Sequence, residues 1–119
     1  MEAFKLFDAE YKFLDIIWEL EPINSTELCK ICLDKLGWKK PTTYTMLRKL
    51  VEKNILKNEK AMVSSLIKRE EIQRYESERL LEKNFDNSLP SFVAAFLKDK
   101  KLSKKEAEEI EKLIKEATE

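Results

Sequence analysis

KKPTTYTMLRKLVEKN, residues 39–54 of the 119-residue chain, has the pattern of a helix with one apolar and one polar side. Pro41 suits the first turn of a helix, where the missing N–H of proline leaves no hydrogen bond unmade. The inward side carries the apolar residues Leu47, Leu50 and Val51. Asn54 tolerates the left-handed backbone in which helices commonly end. The sequence therefore predicts a helix that begins at about Pro41 and stops before Asn54.

The outward side of this helix has the residue types that read DNA. Thr42, Thr45 and Lys49 recur at i, i+3 and i+7, which places them on one face. Threonine hydrogen-bonds base edges and contacts the thymine methyl group, whereas arginine and lysine suit phosphates. Because threonine is a mediocre helix former, the cluster favours DNA binding over a merely solvated face. The predicted DNA-contacting residues of this region are Lys39, Lys40, Thr42, Thr43, Tyr44, Thr45, Arg48 and Lys49.

Two further helices are predicted ahead of this one. Asp8 is a candidate N-cap for the first, and Pro22 ends it. The inward residues of the first helix are Tyr11, Leu14, Ile17 and Trp18. Asn24 or Ser25 caps the second helix, and Gly37, the only glycine in the chain, stands where a left-handed residue ends it. The second and third helices together predict a helix-turn-helix.

Residues 55–66 break the helical pattern and predict two short strands joined by a tight polar turn, which would be a wing. Lys57 and Lys60 lie at this turn, and we expect both to contact DNA phosphates. The alternative is an ordinary hairpin, because lysine is common on exposed strand edges for other reasons.

From about Lys68 the helical pattern returns and predicts three more helices, of which the last two are capped by Ser88 and Ser103. About 50 residues are marginal for an independent core, so we expect a second copy of the chain to cover their apolar faces. The predicted dimer residues are Ile72, Tyr75, Leu80, Phe92, Val93, Phe96, Leu97, Ile110, Leu113 and Ile114. The predicted fold is mostly α with a small β-hairpin: a winged helix-turn-helix domain over residues 1–67, followed by a helical dimerisation region over residues 68–119.

The composition argues against an enzyme. The chain has no histidine and one glycine, which excludes Ser-His-Asp and Cys-His catalysis as well as glycine-rich phosphate loops. No cofactor is expected. The longest uncharged stretch, from Asn87 to Leu97, is shorter than the roughly 20 residues of a membrane span. Charged residues also interrupt any signal peptide, so we expect a cytoplasmic protein with no membrane insertion.

The net charge is zero, but the charges are unevenly distributed along the chain. Residues 37–69 carry nine positive and two negative side chains, and both flanking segments are acidic. A basic segment between acidic flanks is typical of a protein that holds an anionic partner, here double-stranded DNA, at one face. A solvated basic face would explain the same pattern.

Cys29 and Cys32 form a CxxC pair with no third cysteine and no histidine to complete a zinc site. On a helix, Cys32 falls on the apolar side, where cysteine packs as a small hydrophobic residue. One alternative function is a regulator in which these two thiols respond to an oxidant or a soft metal ion. Another is a winged-helix module that binds an acidic protein surface instead of DNA.

Three segments together resemble the penicillinase-repressor family, also called BlaI/MecI/CopY: residues 8–19, Thr26-Glu27-Leu28, and residues 39–54. The resemblance implies a homodimeric bacterial winged-helix repressor, which binds palindromic operators of β-lactam-resistance or copper-homeostasis genes. It assigns Thr42 and Thr45 to base edges, and Arg48 and Lys49 to the DNA backbone. It also assigns the C-terminal helices to the dimer.

The resemblance further implies a membrane sensor protease as a partner, which cuts an Asn-Phe bond in the dimer module. The aligned bond here is Ala95–Phe96, which keeps the phenylalanine but not the asparagine. The wing lacks the glycine-arginine tip of relatives, and Asn54 replaces the usual glycine. Since no cysteine follows Cys32, the paired cysteines of the copper branch are missing.

Overall fold

The computed structural model describes residues 6–119, so the first five residues of the predicted DNA-binding domain lie outside it. In chain order the elements are α1 (Asp8–Leu20), β1 (Ile23–Asn24), α2 (Ser25–Leu36), α3 (Lys40–Glu52), β2 (Leu56–Glu59), β3 (Met62–Ser65), α4 (Arg69–Phe85), α5 (Leu89–Leu97) and α6 (Lys104–Thr118). The chain divides into two compact units, Met1–Ser77 and Glu78–Glu119. The predicted fold class, a winged helix-turn-helix followed by a helical region, is confirmed.

The first helix begins differently from the prediction. Asp8 is its first helical residue, and the N-cap position belongs to Phe7. The carboxylate of Glu10 accepts a hydrogen bond of 2.9 Å from the Phe7 N–H and so satisfies the start of the helix. The inward face is also rotated from the predicted one, because Phe13 and Ile16 are buried whereas Tyr11 and Trp18 are only half-buried.

The helix-turn-helix is formed by α2 and α3 as predicted. The Asn24 side chain caps α2 by accepting a hydrogen bond of 2.8 Å from the Thr26 N–H. Gly37 ends α2 with a φ of 69°, a left-handed conformation in which glycine has no steric penalty. Trp38 then stacks on Phe13 with ring centroids 5.6 Å apart, which packs the turn onto α1. The core of this unit includes Leu14, Ile17, Leu28, Cys32, Leu47, Leu50, Ile55, Leu56 and Val63.

The wing is a three-stranded antiparallel sheet of order β1-β3-β2, in which the hairpin was predicted and β1 was not. Its turn is shorter than predicted and consists of Lys60 and Ala61 alone, since Glu59 pairs directly with Met62. Lys57 therefore lies within β2, and the prediction that it lies in the turn is wrong. Asn54, with a φ of 62°, forms the predicted left-handed end after α3.

The second unit contains α5 and α6, each capped as predicted. The Ser88 hydroxyl accepts a hydrogen bond from the Ser91 N–H, and the Ser103 hydroxyl accepts one from the Glu106 N–H. These helices leave several large apolar side chains exposed, among them Val93, Phe96, Ile110, Leu113 and Ile114. In residues 6–119, no helix combines the length and the apolar character that crossing a membrane requires.

We expect Ala61→Gly to stabilise the protein. Both turn residues have a positive φ, 51° at Lys60 and 65° at Ala61, as a two-residue hairpin turn of this kind requires. The left-handed region costs a non-glycine residue roughly 1 kcal/mol, and the substitution removes this cost. Part of the gain in stability is offset by the greater freedom of glycine in the unfolded chain. The free energy of unfolding in urea should rise by about 0.5 kcal/mol.

Ala9→Gly in α1 is the matched control. There the same substitution weakens a helix and should lower the free energy of unfolding by about 0.5–1 kcal/mol. Equal losses in the two variants would show that the wing turn carries no backbone strain.

Candidate nucleic-acid interface

The exposed face of α3 carries most of the predicted DNA-contacting residues of this region. Thr42, Thr45 and Arg48 are exposed along the helix, and Lys39 and Lys40 are exposed at its start. Pro41 lies in the first turn, as predicted. Lys39 and Arg48 form no ion pair with any carboxylate among residues 6–119, so the charges of both remain available to an anion.

Thr43 does not belong to this face. Its side chain is completely buried, so the prediction that it contacts DNA is wrong. Its hydroxyl makes no hydrogen bond of ordinary geometry to any described residue and faces the thiol of Cys32, a weak partner. Thr43 follows Thr42 by one position, which turns it by about 100° around the helix and into the core.

Tyr44 is half-buried at the junction of α2 and α3. Its hydroxyl lies 3.5 Å from the Ser25 Oγ at the start of α2, and the Lys40 ammonium lies 5.9 Å from the centre of its ring. Tyr44 thus joins the two helices of the helix-turn-helix.

Several cations of the basic segment are paired with carboxylates near α1. The Lys49 and Lys53 ammoniums lie 3.2 and 3.5 Å from the same oxygen of Glu10. Lys68 pairs with Glu21 at 3.3 Å, and Arg69 pairs with Asp15 at 3.4 Å. The uneven charge distribution along the sequence is therefore partly compensated in space, which the sequence analysis did not foresee.

The wing lies beside the C-terminal half of α3. A cleft of about 360 Å³ between them is lined by Tyr44, Leu47, Arg48, Val51, Glu52 and Asn58. Lys60 is exposed at the tip of the hairpin. Lys57 is exposed on β2, where its ammonium lies 3.4 Å from the Glu59 carboxylate. Of the two predicted wing contacts, Lys60 has the more accessible charge.

Glu21 connects the end of α1 to the wing, a role that the sequence analysis missed. Its carboxylate accepts hydrogen bonds from the Ser65 N–H at 2.7 Å and from the Ser65 hydroxyl at 2.8 Å. Burial raises the pKa of Glu21, but the Ser65 hydrogen bonds and the Lys68 ammonium outweigh burial, and the net pKa lies below the ordinary 4.5. Because Ser65 is 44 positions away, only the folded chain reveals this contact.

The start of α4 is attached to α1 in the same unit. The Trp18 indole N–H donates to the Ile67 carbonyl oxygen at 3.0 Å, and the Arg69 guanidinium lies 5.5 Å from the centre of the Trp18 ring. Ile72 is completely buried here, so the prediction that it lies in a dimer interface is wrong. The first turn of α4 thus belongs structurally to the winged helix.

The remaining predicted dimer residues differ in exposure. Tyr75, Phe92 and Leu97 are half-buried, whereas Leu80, Val93, Phe96, Ile110, Leu113 and Ile114 are exposed. Within the second unit, an apolar pocket of about 290 Å³ is lined by Phe92, Val93, Phe96, Leu97, Leu102, Glu106 and Ile110. Ala95 and Phe96, the predicted cleavage site, are both exposed within α5.

Cys29 and Cys32 are both buried as free thiols. Burial raises the pKa of the Cys32 thiol, which keeps the thiol protonated and weakly reactive at neutral pH. Across residues 6–119, the structure brings together no group of three or more histidine, cysteine or acidic side chains that could hold a metal ion. This environment favours the packing role of the two cysteines over a sensing role.

A helix-turn-helix with an adjacent wing, and with threonines and cations on the exposed face of its second helix, defines a winged-helix DNA-binding protein. The family model of the penicillinase repressor matches residues 6–116, so the chain belongs to that family. This is a family of transcriptional repressors, which are not enzymes.

Two relatives carry the same description over nearly their whole length. The penicillinase repressor of Bacillus licheniformis is 27% identical over 116 residues, which cover 94% of this chain and 91% of the relative. The penicillinase repressor of Staphylococcus aureus is 26% identical over 110 residues, which cover 89% of this chain and 87% of the relative.

We expect Glu21→Gln to make the protein less stable at neutral pH and less sensitive to acid. A pKa that folding lowers contributes stability above about pH 4.5, and this contribution is lost as the pH falls through the lowered value. Replacing the hydrogen-bonded carboxylate should cost about 1–2 kcal/mol at pH 7. Urea unfolding at pH 7 and at about pH 3 should show that the difference from the unmodified chain shrinks in acid.

Glu19→Gln, at an exposed position of α1, is the control. It should change the free energy of unfolding neither at pH 7 nor in acid. The alternative result is a free energy of unfolding that differs between the Glu21 variant and the unmodified chain by the same amount at both pH values. That result would mean that the contact acts through packing rather than through charge.

Proposed function

We propose that the chain is a homodimeric repressor that occupies a palindromic operator of a resistance or stress-response operon and thereby blocks transcription. The observation that carries this proposal is the exposed face of α3, which carries Thr42, Thr45 and Arg48, while the wing lies beside the C-terminal half of the helix. The identity of the two relatives as penicillinase repressors supports the resistance operon.

In the proposed complex, α3 enters the major groove of DNA. Thr42 and Thr45 contact base edges, since a threonine offers both a hydroxyl and a methyl group to the groove. Arg48, Lys39 and Lys40 contact phosphates, the two lysines near the N-terminus of α3, where the helix dipole also favours an anion. Lys60 at the wing tip, with Lys57 behind it, contacts the neighbouring backbone.

The dimer is proposed from the apolar side chains that the second unit leaves exposed. Phe96 is 52% exposed, Leu113 64% and Ile114 58%, an arrangement that is unfavourable in water unless another surface covers it. A second copy offers the same side chains and gives a twofold axis, which matches a palindrome. The half-sites should then be one or two turns of DNA apart, about 34 Å for each turn.

Release from the operator is proposed to follow cleavage of the Ala95–Phe96 bond by a membrane sensor protease. The exposure of Ala95 and Phe96 favours access, but the bond lies inside α5. Because proteases bind their substrates in extended form, α5 would have to open locally before cleavage. The protease partner therefore rests on the family resemblance and on this exposure alone.

The test is a DNA-binding titration of the full chain over a salt series by fluorescence anisotropy. The promoter DNA upstream of the gene that encodes the chain is compared with a shuffled duplex of equal composition, and the mass of the complex is measured by light scattering. We expect two chains bound to one promoter duplex, with an affinity that falls steeply with salt and is at least ~10³-fold above that for shuffled DNA. Equally weak binding to both duplexes would rule the proposal out.

Thr45→Val and Thr43→Val form a matched pair that tests the orientation of α3. Thr45→Val removes an exposed hydroxyl and should weaken promoter binding by about 1 kcal/mol while leaving shuffled DNA unaffected. Thr43→Val removes a buried hydroxyl whose neighbour, the Cys32 thiol, is a weak partner. It should leave DNA binding unchanged and raise the free energy of unfolding by about 1 kcal/mol.

Thermal unfolding and the same anisotropy titration measure both effects. Equal loss of promoter affinity in the two variants would show that the threonines act through helix stability and not through base contacts.

A further inference from the structure

Glu10 is the one acidic side chain of α1 that lies fully inside the winged helix. It is 1% exposed, and one of its carboxylate oxygens faces both Lys49 of α3 and Lys53, the residue that follows α3. The other oxygen accepts the hydrogen bond from the Phe7 N–H. A buried carboxylate with partners at both oxygens is held in a single position.

The carboxylate is charged at neutral pH in spite of its burial. Burial raises its pKa, but the Phe7 hydrogen bond and the two lysines outweigh burial and bring the net pKa below its ordinary value. The charge of Glu10 therefore compensates one of the two positive charges near the C-terminal end of α3.

The Lys49 ammonium could pair either with a DNA phosphate or with the Glu10 carboxylate. The side chain of Lys49 is 47% exposed, and its spacing with the exposed threonines of α3 predicted a contact with a DNA phosphate. The structure instead directs the ammonium to Glu10, and Lys53, one turn further along, is directed to the same oxygen. Arg48 differs from both, because it pairs with no carboxylate in the described part of the chain.

We propose that the buried carboxylate of Glu10 withholds Lys49 and Lys53 from DNA phosphates and so keeps binding to unrelated sequences weak. Phosphate contacts strengthen binding to every sequence alike, whereas the threonines of α3 act on particular bases. Withholding two lysines from phosphates therefore lowers the affinity for every duplex, and the base contacts of the threonines supply a larger share of the remaining binding energy. This inference rests on the proposed DNA-binding function.

The test is Glu10→Gln in the full chain, because glutamine can still accept the Phe7 hydrogen bond but carries no charge. We expect the variant to bind shuffled DNA roughly three- to tenfold more tightly at 50 mM salt, with a salt slope steeper by about one unit for each lysine that reaches a phosphate. Promoter binding should gain by a similar factor, because phosphate contacts do not depend on the base sequence.

Asp15→Asn is the matched control, since it removes an equal charge from α1 at a carboxylate that pairs with Arg69 and not with α3. It should leave the salt slope unchanged. An equal gain in both variants would overturn the proposal in favour of a net-charge effect. Weaker binding of Glu10→Gln to both duplexes at an unchanged slope would overturn it in favour of a purely structural role.

If Glu10→Gln does not fold, Arg48→Gln and Lys49→Gln test the proposal instead. Arg48→Gln in the unmodified chain should reduce the salt slope by about one unit, whereas Lys49→Gln should reduce it far less. Equal reductions would mean that Lys49 already contacts DNA and would overturn the proposal. If the unmodified chain shows no salt-dependent DNA binding, the proposed function itself fails, a result distinct from an unchanged slope in a chain that binds.

Discussion

Ion pairing between the acidic α1 segment and the basic middle of the chain holds the DNA-binding face in position. Glu10 holds the C-terminal half of α3, Glu21 holds the end of β3, and Asp15 holds the start of α4. Each carboxylate lies more than 35 positions from its partner in the chain. The apolar core provides most of the stability by burial, but burial is not directional. These contacts fix the orientation of the elements they join, because a hydrogen-bonded carboxylate accepts only a narrow range of geometries.

Much of the fold could be predicted from short-range patterns. Asn24, Gly37, Asn54, Ser88 and Ser103 are each a cap or a helix end because of their own backbone preferences, and the structure confirms all five. These caps depend on neighbours within a few positions, so they can be predicted from the sequence without the tertiary structure.

The predictions that were wrong depended on distant parts of the chain. The two-residue strand β1 has too few residues to form a pattern and exists only because β3 pairs with it. Ile72 has the same apolar character as the residues predicted beside it, and its complete burial became visible only in the folded chain. Thr43 was grouped with Thr42 and Thr45 by composition, although its position on the helix already differed by about 100° from that of Thr42 and by about 160° from that of Thr45.

The candidate site has fewer free cations than the basic segment of the sequence suggested. This smaller number affects how strongly the protein binds DNA of any sequence. A surface with all nine cations of residues 37–69 free would bind any duplex strongly, since phosphates are the same in every sequence. In the structure, internal carboxylates engage Lys49, Lys53, Lys68 and Arg69. The cations left without a carboxylate among residues 6–119 include Lys39, Lys40, Arg48 and Lys60, which lie at the two ends of the exposed threonine face and at the wing tip. Charge in those places can orient a duplex over Thr42 and Thr45 without dominating the binding energy. The same residues that stabilise the fold therefore also decide how much of the affinity depends on sequence.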